Sequence, residues 1–178
     1  MNITVYCGSK IPENDLFVQA AKELGAFIGE NGHTLVYGGA DTGLMGIMAD
    51  TVLENGGRVI GVYPKNLEGI EGKHPGLTEF YMTENIPERR SKMIELGDVF
   101  VALPGGPGTF EEMSEIISLV RIDQLDGKFV GLNIDGYYGE LIKQFDKMLD
   151  ERFITPEERS GIVFVNSVVE LEKKIYDN

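Results

Sequence analysis

Short apolar segments alternate along the chain with longer segments in which apolar residues recur every three or four positions. The short segments lack the polar alternation of a half-exposed strand, which is typical of strands buried on both faces. We predict strands at 2–6, 33–39, 58–64, 79–83, 98–103, 128–134 and 162–165, and helices at 14–30, 44–54, 87–96, 109–121, 137–152 and 168–176. This alternation predicts an α/β fold, a doubly wound parallel sheet with helices on both faces.

Three glycine-containing turns follow predicted strands, with the sequences YCGSK, VYGGADTGLMG and LPGGPGTFEE. In open parallel sheets, ligands bind in the crevice beyond the carboxyl ends of the strands. We therefore expect the three turns to share one crevice, with Ser9, Gly38 and Gly39 among its substrate-binding residues. No linker or repeat interrupts the pattern, so residues 1–178 are predicted to form a single nucleotide-binding domain.

Composition and charge narrow the class of protein. The chain has 178 residues, with 16 Lys and Arg against 29 Asp and Glu, and its formal net charge of −13 argues against binding to nucleic acid. Cys7 is the only cysteine, so no internal disulfide can form. No stretch approaches 18 apolar residues, and no signal peptide is evident. We expect a cytoplasmic protein that binds a small ligand and contacts no membrane.

The third turn matches neither standard nucleotide motif. Its glycines give G-x-G-x-x, but Glu111 stands where the dinucleotide motif needs glycine, and the Walker sequence is absent. NAD and ATP are therefore disfavoured. The bare N–H groups of Gly105, Gly106 and Gly108, next to a helix N-terminus, are still suited to a monophosphate. The alternative is that these glycines only form a tight turn.

The glutamates Glu111 and Glu112 allow two interpretations. Thr109 and Glu112 have the spacing of a capping box, in which Glu112 would accept a hydrogen bond from the Thr109 N–H. Acidic residues are also favourable in the first turn of a helix. The other interpretation is a catalytic carboxylate. Substitution can separate them, because a helix cap contributes only about 1 kcal/mol.

Two arginines, Arg89 and Arg90, lie where cations are unfavourable. Asn85 and Glu88 predict a capped helix start just before them, and cations in a first turn oppose the helix dipole. Arg89 also shares a helix face with the apolar Met93. An arginine that breaks two local rules is a functional candidate. The alternative is a solvated pair that forms salt bridges with nearby acids.

The remaining candidates for chemistry are weak. His33 and His74 are isolated, without a second ligand at helical spacing, so we expect no metal site and no cofactor. Cys7 is predicted to be a small buried hydrophobic residue rather than a nucleophile.

Five segments, VYCGS, LVYGGADTGLMG, ERRSKM, ALPGGPGTFEE and GLNIDGYYGEL, occur in this order. They resemble the LONELY GUY family of cytokinin riboside 5′-monophosphate phosphoribohydrolases, often mislabelled lysine decarboxylases. The resemblance runs from about Thr4 to Ile154, and P-G-G-x-G-T-x-x-E is its most specific block. It implies a Rossmann-like homodimer with active sites near the subunit interface. It also implies hydrolysis of the N-glycosidic bond of an adenine-type nucleoside 5′-monophosphate, which releases free base and ribose 5-phosphate.

By motif position, the resemblance places the family's essential arginine at Arg89 and its essential glutamate at Glu112. The nucleotide contacts that it implies are Glu71, Arg90, Gly106, Pro107, Gly108, Thr109, Phe110, Glu111 and Ser118. The turn amides would then bind the 5′-phosphate while Glu112 faces the positive charge that develops on the ribose. Arg89 would clamp the substrate. Glu112 could act as nucleophile, base or cation stabiliser.

The chain departs from the family pattern in two places. Arg90 stands where the family has lysine, which keeps the charge but changes its geometry. The family's T-W-x-Q-L-G segment is replaced by Ser118-Leu119 and the divergent VRIDQLDG. The second departure bears on base preference and dimer packing.

Two alternative functions remain. One is a general AMP nucleosidase, which differs only in substrate range. The other is a non-catalytic nucleotide-binding or carrier module, which would need the glycines but not Arg89 and Glu112 together. A pyridoxal-phosphate decarboxylase is rejected, because no lysine has an evident cofactor setting.

Overall fold

A parallel sheet forms the centre of the fold. A computed structural model describes residues 1–67 and 72–176, so the predicted nucleotide contact Glu71 lies outside the described residues. Within them the strands are β1 (Asn2–Tyr6), β2 (Thr34–Tyr37), β3 (Arg58–Pro64), β4 (Glu79–Thr83), β5 (Val99–Ala102), β6 (Lys128–Leu132) and β7 (Val163–Val165). They pair in the order β4-β3-β2-β1-β5-β6-β7, and every pairing is parallel.

Helices cover both faces of this sheet. They are α1 (Asp15–Glu30), α2 (Gly43–Glu54), α3 (Ile86–Leu96), α4 (Pro107–Arg121), α5 (Gly139–Asp150), α6 (Pro156–Ser160) and α7 (Val168–Tyr176), with short 3-10 helices at Lys65–Leu67 and Ile134–Gly136. The first two helices and α7 pack on one face, and α3, α4 and α5 pack on the other. This confirms the predicted α/β, Rossmann-like doubly wound fold. None of the helices in the described ranges is long and apolar enough to cross a membrane.

The sheet separates two apolar clusters. Leu24 of α1 and Met48 of α2 are fully buried on one side, and Met93 of α3 and Met113 of α4 are fully buried on the other. Full burial of such a side chain contributes about 1.5–3 kcal/mol. The cluster that contains Met93 and Met113 joins α3 to α4. It therefore fixes the position of Arg89 on α3 relative to Glu112 on α4.

The order of the strands reverses at β1. The chain adds β2, β3 and β4 on one side of β1, and then β5, β6 and β7 on the other. Tyr6, the last residue of β1, lies opposite Ala102, the last residue of β5. The connections after these two strands diverge to opposite faces of the sheet, which leaves a crevice between them.

Most predicted elements are present within a few residues of their predicted bounds, and three details differ. Helix α4 begins at Pro107 rather than at the predicted 109, and its N-cap is Gly106. Helix α5 begins at Gly139 rather than at 137: its N-cap is Tyr138, with φ −94° and ψ 9°, and the preceding Asp135 and Gly136 adopt left-handed φ values of 52° and 73°. Helix α6 was not predicted from the apolar pattern, since none of its residues is buried.

Candidate active site

A cleft of about 380 Å³ lies at the carboxyl ends of β1 and β5. Its walls come from the three predicted turns together with α3 and α4, which confirms that the turns share one crevice. The lining residues are Val5, Tyr6, Cys7, Gly8, Ser9, Lys10, Gly38, Met45, Arg89, Gly106, Pro107, Gly108, Thr109 and Glu112. Eight of the predicted site residues are thus brought together: Ser9, Gly38, Arg89, Gly106, Pro107, Gly108, Thr109 and Glu112.

Two hydrogen bonds tie the β1 and β5 turns to each other. Leu103 N–H donates to the Tyr6 carbonyl at 2.9 Å, and Gly8 N–H donates to the Pro104 carbonyl at 3.2 Å. The backbone pairing of the two strands therefore continues into their turns. The two hydrogen bonds fix the floor of the cleft against the third glycine-containing turn, LPGGPGTFEE, which is called the glycine turn below.

An ion pair between Arg89 and Glu112 lies in this cleft. Arg89 Nη2 donates to Glu112 Oε1 at 3.0 Å, and the two side chains are 14% and 10% exposed. The Nε atom of Arg89 is buried and has no hydrogen-bond partner among the described residues. A buried donor without a partner is costly in a folded protein, so this atom is available to an acceptor on a ligand.

Helix α3 is anchored at both ends, and this positions Arg89. Asn85 caps the helix by accepting a hydrogen bond from the Glu88 N–H at 2.9 Å. Glu88 in turn accepts from the N–H of Glu84 rather than from that of Asn85, so the predicted capping box is displaced by one residue. Near the other end, the buried Thr4 hydroxyl donates to the Met93 carbonyl at 3.1 Å.

Gly38 makes room for the arginine. A Cβ atom built at this position would lie 2.7 Å from Arg89 Nη2 and 3.1 Å from Met45 Sδ. Any larger residue would therefore push the guanidinium group away from its present position. The glycine at the end of β2 thus has a specific role in the site.

The environment of Glu112 excludes the predicted capping role. Helix α4 begins at Pro107 with Gly106 as its N-cap, and this residue has no side chain that could cap the helix. The Thr109–Glu112 capping box is therefore wrong, because Thr109 already lies inside the helix. Burial raises the pKa of the Glu112 carboxyl, and the charge of Arg89 opposes that rise. A buried carboxyl with a raised pKa in a cleft is typical of a catalytic acid or base.

The glycine turn has one glycine required by packing and two that are not. A Cβ atom on Gly105 would lie 2.2 Å from Thr109 Oγ1, so only glycine fits there. A Cβ atom on Gly106 or Gly108 would meet no atom of the described residues within 4 Å, and neither has a positive φ. Both line the cleft at the N-terminus of α4, where backbone N–H groups have no partner inside the helix. The open space beside them is suited to an anion.

Lys10, Tyr6 and Met45 line the cleft but were not predicted as site residues. Lys10 is exposed at the rim and adds a positive charge beside the turn. Lys10 could have been identified from the sequence, because it belongs to the YCGSK turn directly after a central strand. Tyr6 and Met45 are buried and follow apolar patterns, so the sequence did not distinguish them from ordinary core residues.

Several predicted contacts do not line the cleft of this chain. Arg90 forms ion pairs with Glu111 and Glu115 of α4, as the salt-bridge interpretation expected, but its side chain is only 20% exposed and is therefore not a freely solvated one. Phe110 is 52% exposed. Ser118 lies further along α4 beside a separate apolar groove. Gly39 and Gly105 are not among the lining residues: Gly39 takes a left-handed φ of 80°, and Gly105 packs against Thr109.

Three other titratable residues, Cys7, His33 and His74, have surroundings that suit a structural role rather than a catalytic one. Cys7 is 8% exposed in the core, and burial raises the pKa of its thiol, which disfavours the nucleophilic thiolate. His33 Nε2 lies 2.8 Å from the Tyr176 hydroxyl, and His74 Nε2 lies 3.0 Å from Asp50 Oδ1. In the described ranges, no group of three or more His, Cys, Asp or Glu side chains is arranged to hold a metal ion.

Solved structures share this fold over nearly the whole chain. The molybdenum cofactor binding protein of Rippkaea orientalis superposes with a TM-score of 0.71 at 21% identity, covering 99% of this chain and 97% of that one. The Moco carrier protein of Chlamydomonas reinhardtii superposes with a TM-score of 0.69 at 23% identity, covering 98% and 96%. Identities this low show the common fold alone.

Sequence relatives are more informative. The cytokinin riboside 5′-monophosphate phosphoribohydrolase of Rhodococcoides fascians is 38% identical over 94% of this chain and 85% of that protein. A phosphoribohydrolase of the same name from Arabidopsis thaliana is 38% identical over 98% and 82%. The model of the family described as "Possible lysine decarboxylase" matches residues 45–175. The chain therefore belongs to this family, the LONELY GUY family that its sequence motifs resemble.

Proposed function

We propose that this protein hydrolyses the N-glycosidic bond of cytokinin-type nucleoside 5′-monophosphates, releasing the free adenine-type base and ribose 5-phosphate. The observation that carries the proposal is the buried Arg89–Glu112 pair, which lies in one cleft with the glycine turn at the N-terminus of α4. This combination provides an anion site and a carboxylate within one small volume. The named activity of the relatives from Rhodococcoides fascians and Arabidopsis thaliana supports the same reaction.

The 5′-phosphate occupies the open space beside Gly106 and Gly108 in this proposal. The N–H groups at the start of α4 donate to its oxygens, and the partial positive charge of the helix N-terminus adds attraction. Lys10 at the rim supplies a full positive charge. The binding energy of the phosphate then fixes the ribose deeper in the cleft, beside Glu112, which favours turnover as well as affinity.

Glu112 acts on the ribose. Cleavage of the bond between C1′ and the base develops positive charge on the sugar ring, as in glycoside hydrolysis. The Glu112 carboxylate stabilises this charge and accepts a proton from the water that attacks C1′. The departing base takes the electron pair of the broken bond and a proton from solvent, and the proton held by Glu112 returns to solvent after the step. Arg89 holds Oε1 of Glu112 and offers its unpaired Nε to an oxygen of the substrate.

A pure binding or carrier module would not need this pair. Burying two opposite charges is costly, and a glycine turn with a lysine suffices to bind a phosphate. The raised pKa of Glu112 adds a property useful for proton transfer and unnecessary for binding. These features favour catalysis over storage.

The deciding experiment is product analysis after incubation with AMP and with isopentenyladenosine monophosphate. We expect free base and ribose 5-phosphate from wild type, and a loss of about 10²–10⁴-fold in Glu112→Gln. Glu115→Gln is the matched control, because Glu115 lies on the same helix and pairs with Arg90 outside the cleft. The ratio of the two substrates separates cytokinin activation from general AMP cleavage. Binding without base release would contradict the proposal and favour the carrier alternative.

We also propose that the chain acts as a single cytoplasmic nucleotide-binding domain that forms a homodimer. The family resemblance implies nucleotide contacts at Phe110 and Ser118, which lie along α4 outside the cleft of their own chain. A second copy seated near α4 would bring these residues close to a shared active site. Light scattering gives the test: a mass near twice 19.7 kDa supports the dimer, and a mass near 19.7 kDa contradicts it.

A further inference from the structure

Two consecutive tyrosines hold the backbone of the glycine turn. The Tyr137 hydroxyl donates to the Gly105 carbonyl at 2.6 Å, and the Tyr138 hydroxyl donates to the Leu103 carbonyl at 2.7 Å. Both tyrosines come from the segment between β6 and α5, and neither is among the residues that line the cleft. Tyr137 lines a separate, neighbouring pocket together with Gly105 and Gly106.

The bond to Gly105 has a consequence that the bond to Leu103 lacks. In a trans peptide, the carbonyl oxygen and the N–H of the following residue point in opposite directions, and none of the described peptides is cis. Fixing the Gly105 oxygen on one side therefore fixes the Gly106 N–H on the other. The peptide after Leu103 carries no N–H, because the following residue is Pro104.

The residues on either side of the Gly105–Gly106 peptide bond are held by other contacts: Gly105 packs against Thr109, and the Gly106 carbonyl accepts a hydrogen bond from the Phe110 N–H at 3.1 Å. The hydrogen bond from Tyr137 acts on the peptide bond itself. Both residues lack a Cβ, so their backbone dihedrals have a wide range. Gly106 is the N-cap of α4 without a side-chain cap, and open space lies beside it. The Tyr137 ring is itself restrained by Phe17, which packs against it edge to face with centroids 5.4 Å apart. Among the described residues, the hydroxyl of Tyr137 is the group that donates to the carbonyl of this peptide.

We propose that Tyr137 is a positioning residue for the phosphate-binding turn: its hydroxyl orients the Gly105–Gly106 peptide so that the Gly106 N–H points into the cleft. The inference rests on the proposed function only in requiring that a phosphate binds at this turn. Tyr138 has a different role. It is 6% exposed and its hydrogen bond is buried, so it contributes to stability and does not orient a donor.

The paired variants Tyr137→Phe and Tyr138→Phe test this assignment, because each removes one hydroxyl bonded to one carbonyl of the same turn. Calorimetric titration with ribose 5-phosphate measures the turn directly, without a need for turnover. We expect Tyr137→Phe to bind about tenfold more weakly, with a Tm near that of wild type. Tyr138→Phe should bind with wild-type affinity and have a lower Tm, since its hydroxyl leaves a buried carbonyl unpaired.

Steady-state kinetics give a second test, because a purely structural role of Tyr137 would not change KM selectively for the phosphorylated substrate. In Tyr137→Phe, KM for the nucleoside monophosphate should rise, while any cleavage of the unphosphorylated nucleoside should be unchanged. Equal affinity of Tyr137→Phe and wild type for ribose 5-phosphate would overturn the inference, as would failure of the wild type to bind it. Should the wild type bind ribose 5-phosphate but release no base, the proposed function fails, while weaker binding by Tyr137→Phe alone still supports the positioning role.

Discussion

Arg89 Nη2 lies 3.0 Å from Glu112 Oε1, although the two residues are 23 positions apart and belong to different helices. Both helices pack on the same face of the sheet, and both side chains reach the cleft from that face. Two effects on the carboxyl oppose each other: burial raises the pKa of Glu112, and the guanidinium charge lowers it, with burial the larger. The pair therefore controls both the charge state and the position of the candidate catalytic group.

The first prediction concerns stability. Because the pKa of Glu112 is raised in the folded protein, ionisation is less favourable there than in the unfolded chain. Below the unfolded value of about 4.3 the carboxyl is protonated in both states, and the destabilisation grows as the pH rises through the folded pKa. Glu112→Gln cannot ionise, and its amide oxygen can still accept from Arg89. We expect its Tm, measured by scanning calorimetry, to equal or exceed that of wild type at neutral pH.

The difference in Tm should shrink as the pH falls towards the unfolded pKa. A Tm of Glu112→Gln that is below wild type at every pH would show that the carboxylate supports the fold. That result would contradict the placement of Glu112 as a functional group whose burial is costly.

The pH dependence of turnover should also reflect the raised pKa of Glu112. The ionised carboxylate is the active form in the proposed mechanism, so activity falls as the pH drops through its pKa. Since that pKa is raised, the acid limb of kcat should lie above the usual carboxyl range. Arg89→Met removes the charge that opposes the rise, so its residual activity should show an acid limb at still higher pH. An acid limb that Arg89→Met leaves in place would contradict the coupling.

Gly108→Ala should separate stability from binding. Within residues 1–67 and 72–176, a Cβ atom there meets no atom within 4 Å, and the residue lies in the first turn of α4. Alanine should therefore leave the free energy of unfolding unchanged or raise it by about 0.5 kcal/mol. The added methyl group would occupy the proposed phosphate space, so KM for the monophosphate should rise about tenfold or more.

The matched control for this variant is Gly139→Ala. Gly139 is the first residue of α5, and a Cβ atom there also meets nothing within 4 Å. It should give a similar change in stability and wild-type kinetics. If both alanine variants keep the wild-type KM, the phosphate does not bind beside Gly108.

Gly38→Ala should disturb the site by displacing Arg89. Its methyl group would lie 2.7 Å from Arg89 Nη2, so the guanidinium group must leave the position in which it pairs with Glu112. We expect kcat to fall about 10- to 100-fold, because displacement of a positioning group by an ångström is costly for turnover. The atoms displaced are ends of flexible side chains, so the Tm should change little. Steady-state kinetics with a melting curve are sufficient, and wild-type kcat would show that Arg89 need not hold its present place.

Much of the fold and part of the site follow from the sequence. The apolar segments predicted the strands, because the inner strands are buried on both faces of a parallel sheet, whereas the edge strands β4 and β7 are only partly buried. Arg89 was identifiable because a cation near a helix N-terminus, on the same face as Met93, contradicts both local electrostatics and burial. The three turns could be assigned to one crevice because parallel strands end at the same edge.

Other features depended on tertiary contacts that the sequence does not encode locally. The spacing of Thr109 and Glu112 fits a capping box, but Pro107 begins the helix two residues earlier and Gly106 becomes the cap. Local sequence could not show that Glu112 turns inward to Arg89. The hydrogen bond from Tyr137 to Gly105 joins residues on different connections, so only the fold brings them together.

The position of β1 affects how long the cleft persists. β1 lies between β2 and β5, and its pairing with β5 continues past Tyr6 into the Leu103 N–H and the Gly8 N–H. Separating the walls of the cleft therefore requires breaking the centre of the sheet, which is the part of such a fold that opens only in global unfolding. Amide protons at the base of the cleft should be among the slowest to exchange with solvent. Loss of the binding cleft and unfolding of the protein should accordingly occur together on heating or during proteolysis. We expect no folded intermediate that has lost the cleft.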